Sequence, residues 1–146
     1  TSREREEVPP QKDESLPTGS ERILIVDDEP PIVKMQQQLL EQFGYAVTST
    51  ESSLNALEIF RASPASFDLV VTDMTMPKMT GDKLASAIKH IRNDVPVILC
   101  TGFSKQIKGR QEELDSDGLL MKPVDKSELL RTVREVLDED KGKASE

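Results

Sequence analysis

Tryptophan is absent from this chain, and aromatic residues make up only 3% of its 146 residues. A core of ordinary size must therefore be built from aliphatic side chains. There is one cysteine, Cys100. A disulfide within the chain is excluded, and a lone thiolate cannot make a zinc site. Lying in the apolar run Val95–Cys100, it reads as a small buried hydrophobe. The single histidine, His90, falls on the polar part of a helical stretch and is expected to face solvent. No apolar run approaches the ~18 residues of a membrane span, and no signal peptide is visible. Basic residues are in the minority, 19 against 27 acidic ones, for a net charge of -8. That leaves no basic face for nucleic acid or anionic lipid. It suits a cation ligand or a partner with a basic patch. The expectation is a cytoplasmic domain with no nucleic-acid or direct membrane contact. The start at Thr1 reads as an excised or processed piece, whose parent could be membrane-attached.

What is present is one domain's worth of alternating apolar and amphipathic segments. Residues 1–20 are rich in charge, Pro, Ser and Gly without apolar periodicity, and read as a disordered linker. Residues 21–140 read as the folded domain, and 141–146 as a frayed tail. Strands are expected at 22–26, 45–50, 67–73, 95–100 and 118–121, each a continuous apolar run. Helices are expected between and after them. The first, within 30–44, has Pro at its first turn and Gly44 as its stop. The second places Leu54, Leu57 and Phe60 on one face, with Ala56 and Ile59 beside it. The third, 80–92, has Leu84, Ala87, Ile88 and Ile91 on one side. A fourth, 104–114, is weak and interrupted by Gly109. The fifth, 125–140, carries Leu129, Leu130, Val133, Val136 and Leu137, with Asp125 as its cap and Glu128 three residues on. Strand–helix alternation with fully apolar strands predicts a parallel sheet covered on both faces. Right-handed crossovers then give a doubly wound α/β sandwich.

In open α/β sheets, chemistry gathers at the carboxyl ends of the strands. After the first strand come Asp27, Asp28 and Glu29. After the third comes Asp73, after the fourth Thr101, and after the fifth Lys122 and Pro123. Three aspartates converging on one edge repel. Two unit charges about 5 Å apart cost about 3 kcal/mol at an effective dielectric near 20. Such a cluster takes up protons or binds a cation. Its oxygen donors suit Mg²⁺ or Mn²⁺. Lys122 and Thr101 would then grip an anion beside a central carboxylate, with Asp73 as a nucleophile toward phosphorus. Met74, Met76 and Met79 read as loop and core packing.

The stretches "VDDE", "VTDMTMPKMTG", "LCTG" and "MKP", in that order and each after its own strand, resemble the receiver domain of two-component response regulators. The resemblance spans residues 22 to about 138. It implies a flavodoxin-like fold with strand order 2-1-3-4-5 and five helices. It implies Asp73 as phosphoacceptor, with Asp27, Asp28, Asp73 and the Thr75 backbone carbonyl holding Mg²⁺. Lys122 would bind phosphate, across a cis Lys122–Pro123 bond, and Thr101 would be the switch hydroxyl. The donor would be a phosphohistidine on a histidine kinase or phosphotransfer domain. One departure is Leu119, where switch-type receivers carry Tyr or Phe. Thr75 and Phe103 are expected to border the path of attacking water, and the weak fourth helix could order on phosphorylation. The proline-bearing leader resembles the connector ahead of the carboxyl-terminal receiver of hybrid histidine kinases. The alternatives are a stand-alone or truncated response regulator and a Mg²⁺-dependent phosphohydrolase. The hydrolase would usually carry a second Asp where Thr75 stands. A further alternative is a pseudo-receiver used only for docking. Nothing in the sequence sets the oligomeric state.

Overall fold

The computed structural model describes residues 16–102 and 117–145 of the chain. In chain order the elements are β1 Arg22–Val26, α1 Pro30–Gln42, β2 Ala46–Thr50, α2 Ser53–Ala62, a 3₁₀ turn Pro64–Ser66, β3 Leu69–Asp73, α3 Gly81–Ile91, β4 Val97–Thr101, β5 Gly118–Met121 and α4 Lys126–Ser145. The five strands are parallel in the order β2-β1-β3-β4-β5, the order 2-1-3-4-5 that the resemblance implies. The expected helix at 104–114, with Gly109, and Phe103 lie outside the described residues. Four α-helices are present among the described ones.

The apolar strands explain the two-faced core. Successive side chains alternate across a strand, so each buried strand feeds both faces. Ile23, Ile25, Leu69, Val71, Ile98 and Cys100 point to one side and pack under α1 and α4. Leu24, Val26, Val70 and Val97 point to the other and pack under α2 and α3. Each fully buried Leu or Ile is worth roughly 1.5–3 kcal/mol of transfer free energy. A sheet clad on both sides holds its strand ends in fixed register. The scarce aromatics are used sparingly: Phe60 and Phe67 stack at 6.1 Å under α2.

The helical faces differ from the sequence pattern in particular places. Leu54 is 42% exposed and Ile91 37% exposed. In α2 the buried stripe is Ser53, Ala56, Leu57 and Phe60. Ser52 begins the helix by accepting from the Asn55 N–H at 3.2 Å. That start turns Phe60 inward, and Leu54, next to buried Ser53, falls on the outer side. In α1 the core stripe includes Gln36, only 2% exposed, which apolar periodicity passes over. All five apolar residues expected of the last helix are buried. Its Glu128 N–H donates to Asp125 at 3.2 Å. This helix continues to Ser145 rather than ending near 140.

The leader also departs from its expectation at its end. Leu16 packs against the α1/α4 core cluster. The Gly19 N–H donates to the Phe43 carbonyl at 3.1 Å. Gly44 allows this approach. Its φ is +106°, and a Cβ there would sit 2.2 Å from the Gly19 oxygen. Residues 16–20 are thus part of the fold rather than linker.

Candidate functional site

Register places the site. Val26 pairs with Thr72, and Asp73 pairs with Cys100. Asp27, the residue after Val26, is therefore level with Asp73 and Cys100, and Thr101 lies one residue further along β4. Asp27 and Asp73 are buried and Asp28 is exposed. One carboxylate oxygen from each of the three lies within 4.8 Å of the others. Asp27 is held by its surroundings: its N–H donates to the Thr50 carbonyl at 3.3 Å, and its Oδ1 accepts the Glu29 N–H at 3.0 Å.

Lys122 enters this cluster from the end of β5. Its N–H donates to the Thr101 carbonyl at 2.7 Å, and the Lys122–Pro123 bond is cis. Its Nζ lies 2.9 Å from Asp73 Oδ1, 3.1 Å from Asp27 Oδ2 and 3.8 Å from Glu29 Oε2. The ammonium therefore bridges the two buried carboxylates. Thr101 is buried, with its hydroxyl donating to the Gly102 carbonyl at 3.1 Å. Among the described residues no hydrogen bond joins it to Asp73. Thr75 is exposed two residues beyond Asp73. The structure thus gathers Asp27, Asp28, Asp73 and Lys122, with Thr101 at the neighbouring strand tip. Glu29, the residue just before α1, is drawn toward Lys122 and caps no N–H with its side chain.

Electrostatics follow from this crowding. Burial lifts the Asp73 carboxyl above its ordinary range; the Lys122 hydrogen bond opposes this and the Asp27 charge adds to it. Burial also works against charge on Lys122. Its hydrogen bonds to Asp73 and Asp27 nevertheless carry its pKa above the usual lysine value. Burial pushes the Cys100 thiol up to about 12, so it stays an inert core group. Leu119 sits partly buried against Leu99 and Met74, filling with an aliphatic contact the place where an aromatic is expected. Met74 and Met76 are buried, and Met79 packs against the α2/α3 cluster. His90 is exposed.

Chemically, the arrangement is a buried carboxylate flanked by an ammonium and by two further carboxylates. Its oxygen donors fit a hard divalent cation and lack the nitrogen or sulfur that zinc prefers.

Comparison with known proteins agrees. The family described as response regulator receiver domain matches residues 23–134, and the chain belongs to that family. It is a receiver domain of two-component phosphorelay signalling. It is 31% identical over 122 residues to the sensor kinase CckA of Brucella abortus, covering 83% of this chain and 13% of that protein. It is 40% identical over 86 residues to the two-component response regulator ORR22 of Oryza sativa, covering 59% of this chain and 12% of that protein. The chain thus spans about an eighth of these relatives. Among solved structures, a receiver domain protein from Clostridium thermocellum aligns with TM-score 0.75 at 33% identity, covering 83% of this chain and 97% of its own. A CheY-like receiver from Methanospirillum hungatei aligns with TM-score 0.78 at 30% identity, covering 86% and 99%. Among the described residues, no helix is long and apolar enough to cross a membrane.

Proposed function

We propose that the chain accepts a phosphoryl group on Asp73 from a phosphohistidine of a histidine kinase or phosphotransfer domain. A carboxylate oxygen of Asp73 attacks phosphorus, the bond from phosphorus to the imidazole nitrogen breaks, and the nitrogen regains a proton. The acyl phosphate is later hydrolysed by water, restoring Asp73 and inorganic phosphate. The observation that carries this reading is the Lys122 ammonium 2.9 Å from Asp73, beside the carboxylates of Asp27 and Asp28. Lys122 holds positive charge where the transferred oxygens arrive. Thr101 offers a hydroxyl that turns from Gly102 toward the new dianion, biasing the surface between two states.

Asp27, Asp28, Asp73 and the Thr75 carbonyl would hold Mg²⁺, with Mn²⁺ as a substitute. When bound, the ion supplies charge neutralisation for the carboxylates and the phosphoryl oxygens. The test is mass spectrometry after acetyl phosphate and Mg²⁺. One phosphoryl group is expected on the wild type and none on Asp73→Asn. An unmodified wild type refutes the reading and favours a docking-only pseudo-receiver. Turnover of a small phosphate ester instead points to a phosphohydrolase.

The parent we favour is a hybrid histidine kinase acting in the cytoplasm. The match to a sensor kinase over 83% of the chain and the charged, proline-bearing leader support it. The matches to plant response regulators support the second reading, a receiver of a response regulator. The coding sequence upstream decides: a kinase core there establishes the first reading, and its absence removes it.

A further inference from the structure

We infer that Gly81, at the first turn of α3, is a positioning residue for the phosphoacceptor. The inference rests on the proposed function. A Cβ at Gly81 would sit 2.2 Å from the Asp73 carbonyl oxygen and 2.9 Å from both the Asp73 carbonyl carbon and the Met74 Cα. These are backbone atoms, so no rotamer change relieves the overlap. The Gly81 N–H donates to the Met74 carbonyl at 2.8 Å, closing the loop over residues 74–81 back onto the residue next to Asp73. From the other side, the Met74 N–H donates to the Cys100 carbonyl at 2.7 Å. The peptide leaving Asp73 is therefore held between β4 and the start of α3.

Inside the loop the backbone has little freedom. Lys78 has a φ of +72°, and the Met79 N–H returns to the Pro77 carbonyl at 2.7 Å. Thr75, whose carbonyl completes the proposed metal ligands, lies on the span between the two fixed points. Where the loop closes sets where the Thr75 carbonyl and the Asp73 carboxylate point. Only a residue without a Cβ lets the chain close this tightly. Any larger residue must push α3 and the Asp73 peptide apart, and displacement of a reacting group by about 1 Å can cost about a hundredfold in rate. Gly81 touches no reacting atom; it acts through Asp73 and Thr75.

The test compares Gly81→Ala with Gly118→Ala. At Gly118 a Cβ would meet side-chain carbons only, Ile98 Cγ1 at 3.2 Å and Val136 Cγ2 at 3.3 Å, far along the sheet from the site. Both variants are expected to melt below the wild type. Only Gly81→Ala should lose Mg²⁺ affinity in calorimetry, by about tenfold or more, and phosphorylation rate from acetyl phosphate, by at least about tenfold. In the metal-free protein, amide exchange at Met74 should accelerate in Gly81→Ala alone. Wild-type affinity and exchange in Gly81→Ala, or equal losses in Gly118→Ala, overturn the inference. Should Gly81→Ala fail to fold, one glycine inserted after Lys78 lengthens the loop without adding a Cβ. It should keep the fold and show the same losses; unchanged metal affinity overturns the inference. A wild type that takes no phosphoryl group refutes the proposed function, while metal affinity and exchange still decide the part played by Gly81.

Discussion

The two ends of the sheet handle charge in opposite ways. At the amino ends of the strands, opposite charges are matched. Arg134 of α4 donates to both Glu21 oxygens, at 3.1 and 2.7 Å, and to Asp138 at 2.9 Å. It also donates to the Thr18 carbonyl at 3.1 Å, which fastens the leader. Hydrogen bonds to Glu21 come first in raising the Arg134 pKa above its usual value. At the amino ends of β4 and β5, Lys89 pairs with Asp117 at 2.6 Å, and Asp117 also accepts the Val97 N–H at 2.8 Å. At the carboxyl ends, Lys122 is the one cation paired with Asp27, Glu29 and Asp73 among the described residues, and Asp28 adds a further carboxylate to the cluster. One end is balanced and structural; the other carries an excess of carboxylates among the described residues. A fold can carry an unbalanced site because the sheet beneath it is well packed on both faces.

That contrast can be broken by mutation. Arg134→Ala is expected to have the largest effect, since it leaves buried Glu21 without its guanidinium. The loss is about 3 kcal/mol in urea unfolding, and Mg²⁺ should not restore it. Restoration by Mg²⁺ would mean that the two ends are not separate. Lys122→Ala should cost somewhat less, about 2 kcal/mol in the metal-free protein. Here millimolar Mg²⁺ should narrow the gap to wild type, because a cation replaces the lost charge. An unchanged gap argues against metal binding by the cluster.

Asp73→Asn should act in the opposite direction, raising stability of the metal-free protein by on the order of 1 kcal/mol at neutral pH. The sign follows from the raised Asp73 pKa. A carboxyl that binds its proton more tightly when folded costs stability above its folded pKa. That cost disappears as pH falls below the ordinary carboxylate value. The advantage of the variant should therefore be full at neutral pH and fade on acidification through the carboxylate range. A pH-independent difference would trace it to packing instead. The smallest effect concerns Gln36, buried in α1 with no side-chain hydrogen bond among the described residues. Gln36→Leu should add about 0.5–1 kcal/mol by removing an unpaired buried amide, equally with and without Mg²⁺. Coupling to Mg²⁺ would attach Gln36 to the anionic end.

Most of the architecture was legible because it depends on periodicity. Continuous apolar runs such as "RILIV" and "LVV" specify strands buried on both faces, and amphipathic stretches between them specify crossovers. The candidate site was legible because Asp73 and Thr101 end their strands and Asp27 and Lys122 directly follow theirs. Where tertiary context chose among near-equal options, sequence reading missed. Leu54 is apolar yet turned outward by the start of α2, and Gln36 is polar yet lies in the core stripe of α1. Residues 16–20 have a linker's composition, but their backbone docks on Phe43 and Arg134, contacts that composition does not encode.

By itself, the sequence determined the order of elements, the aliphatic core and which residues end the strands, since these follow from local polarity and spacing. Only the tertiary structure decided that one ammonium bridges Asp27 and Asp73, that Gly81 presses on the Asp73 peptide and that Arg134 ties Glu21 to the leader. Each of these contacts joins parts of the chain whose separation is fixed by strand register and helix packing, so local patterning could not specify them.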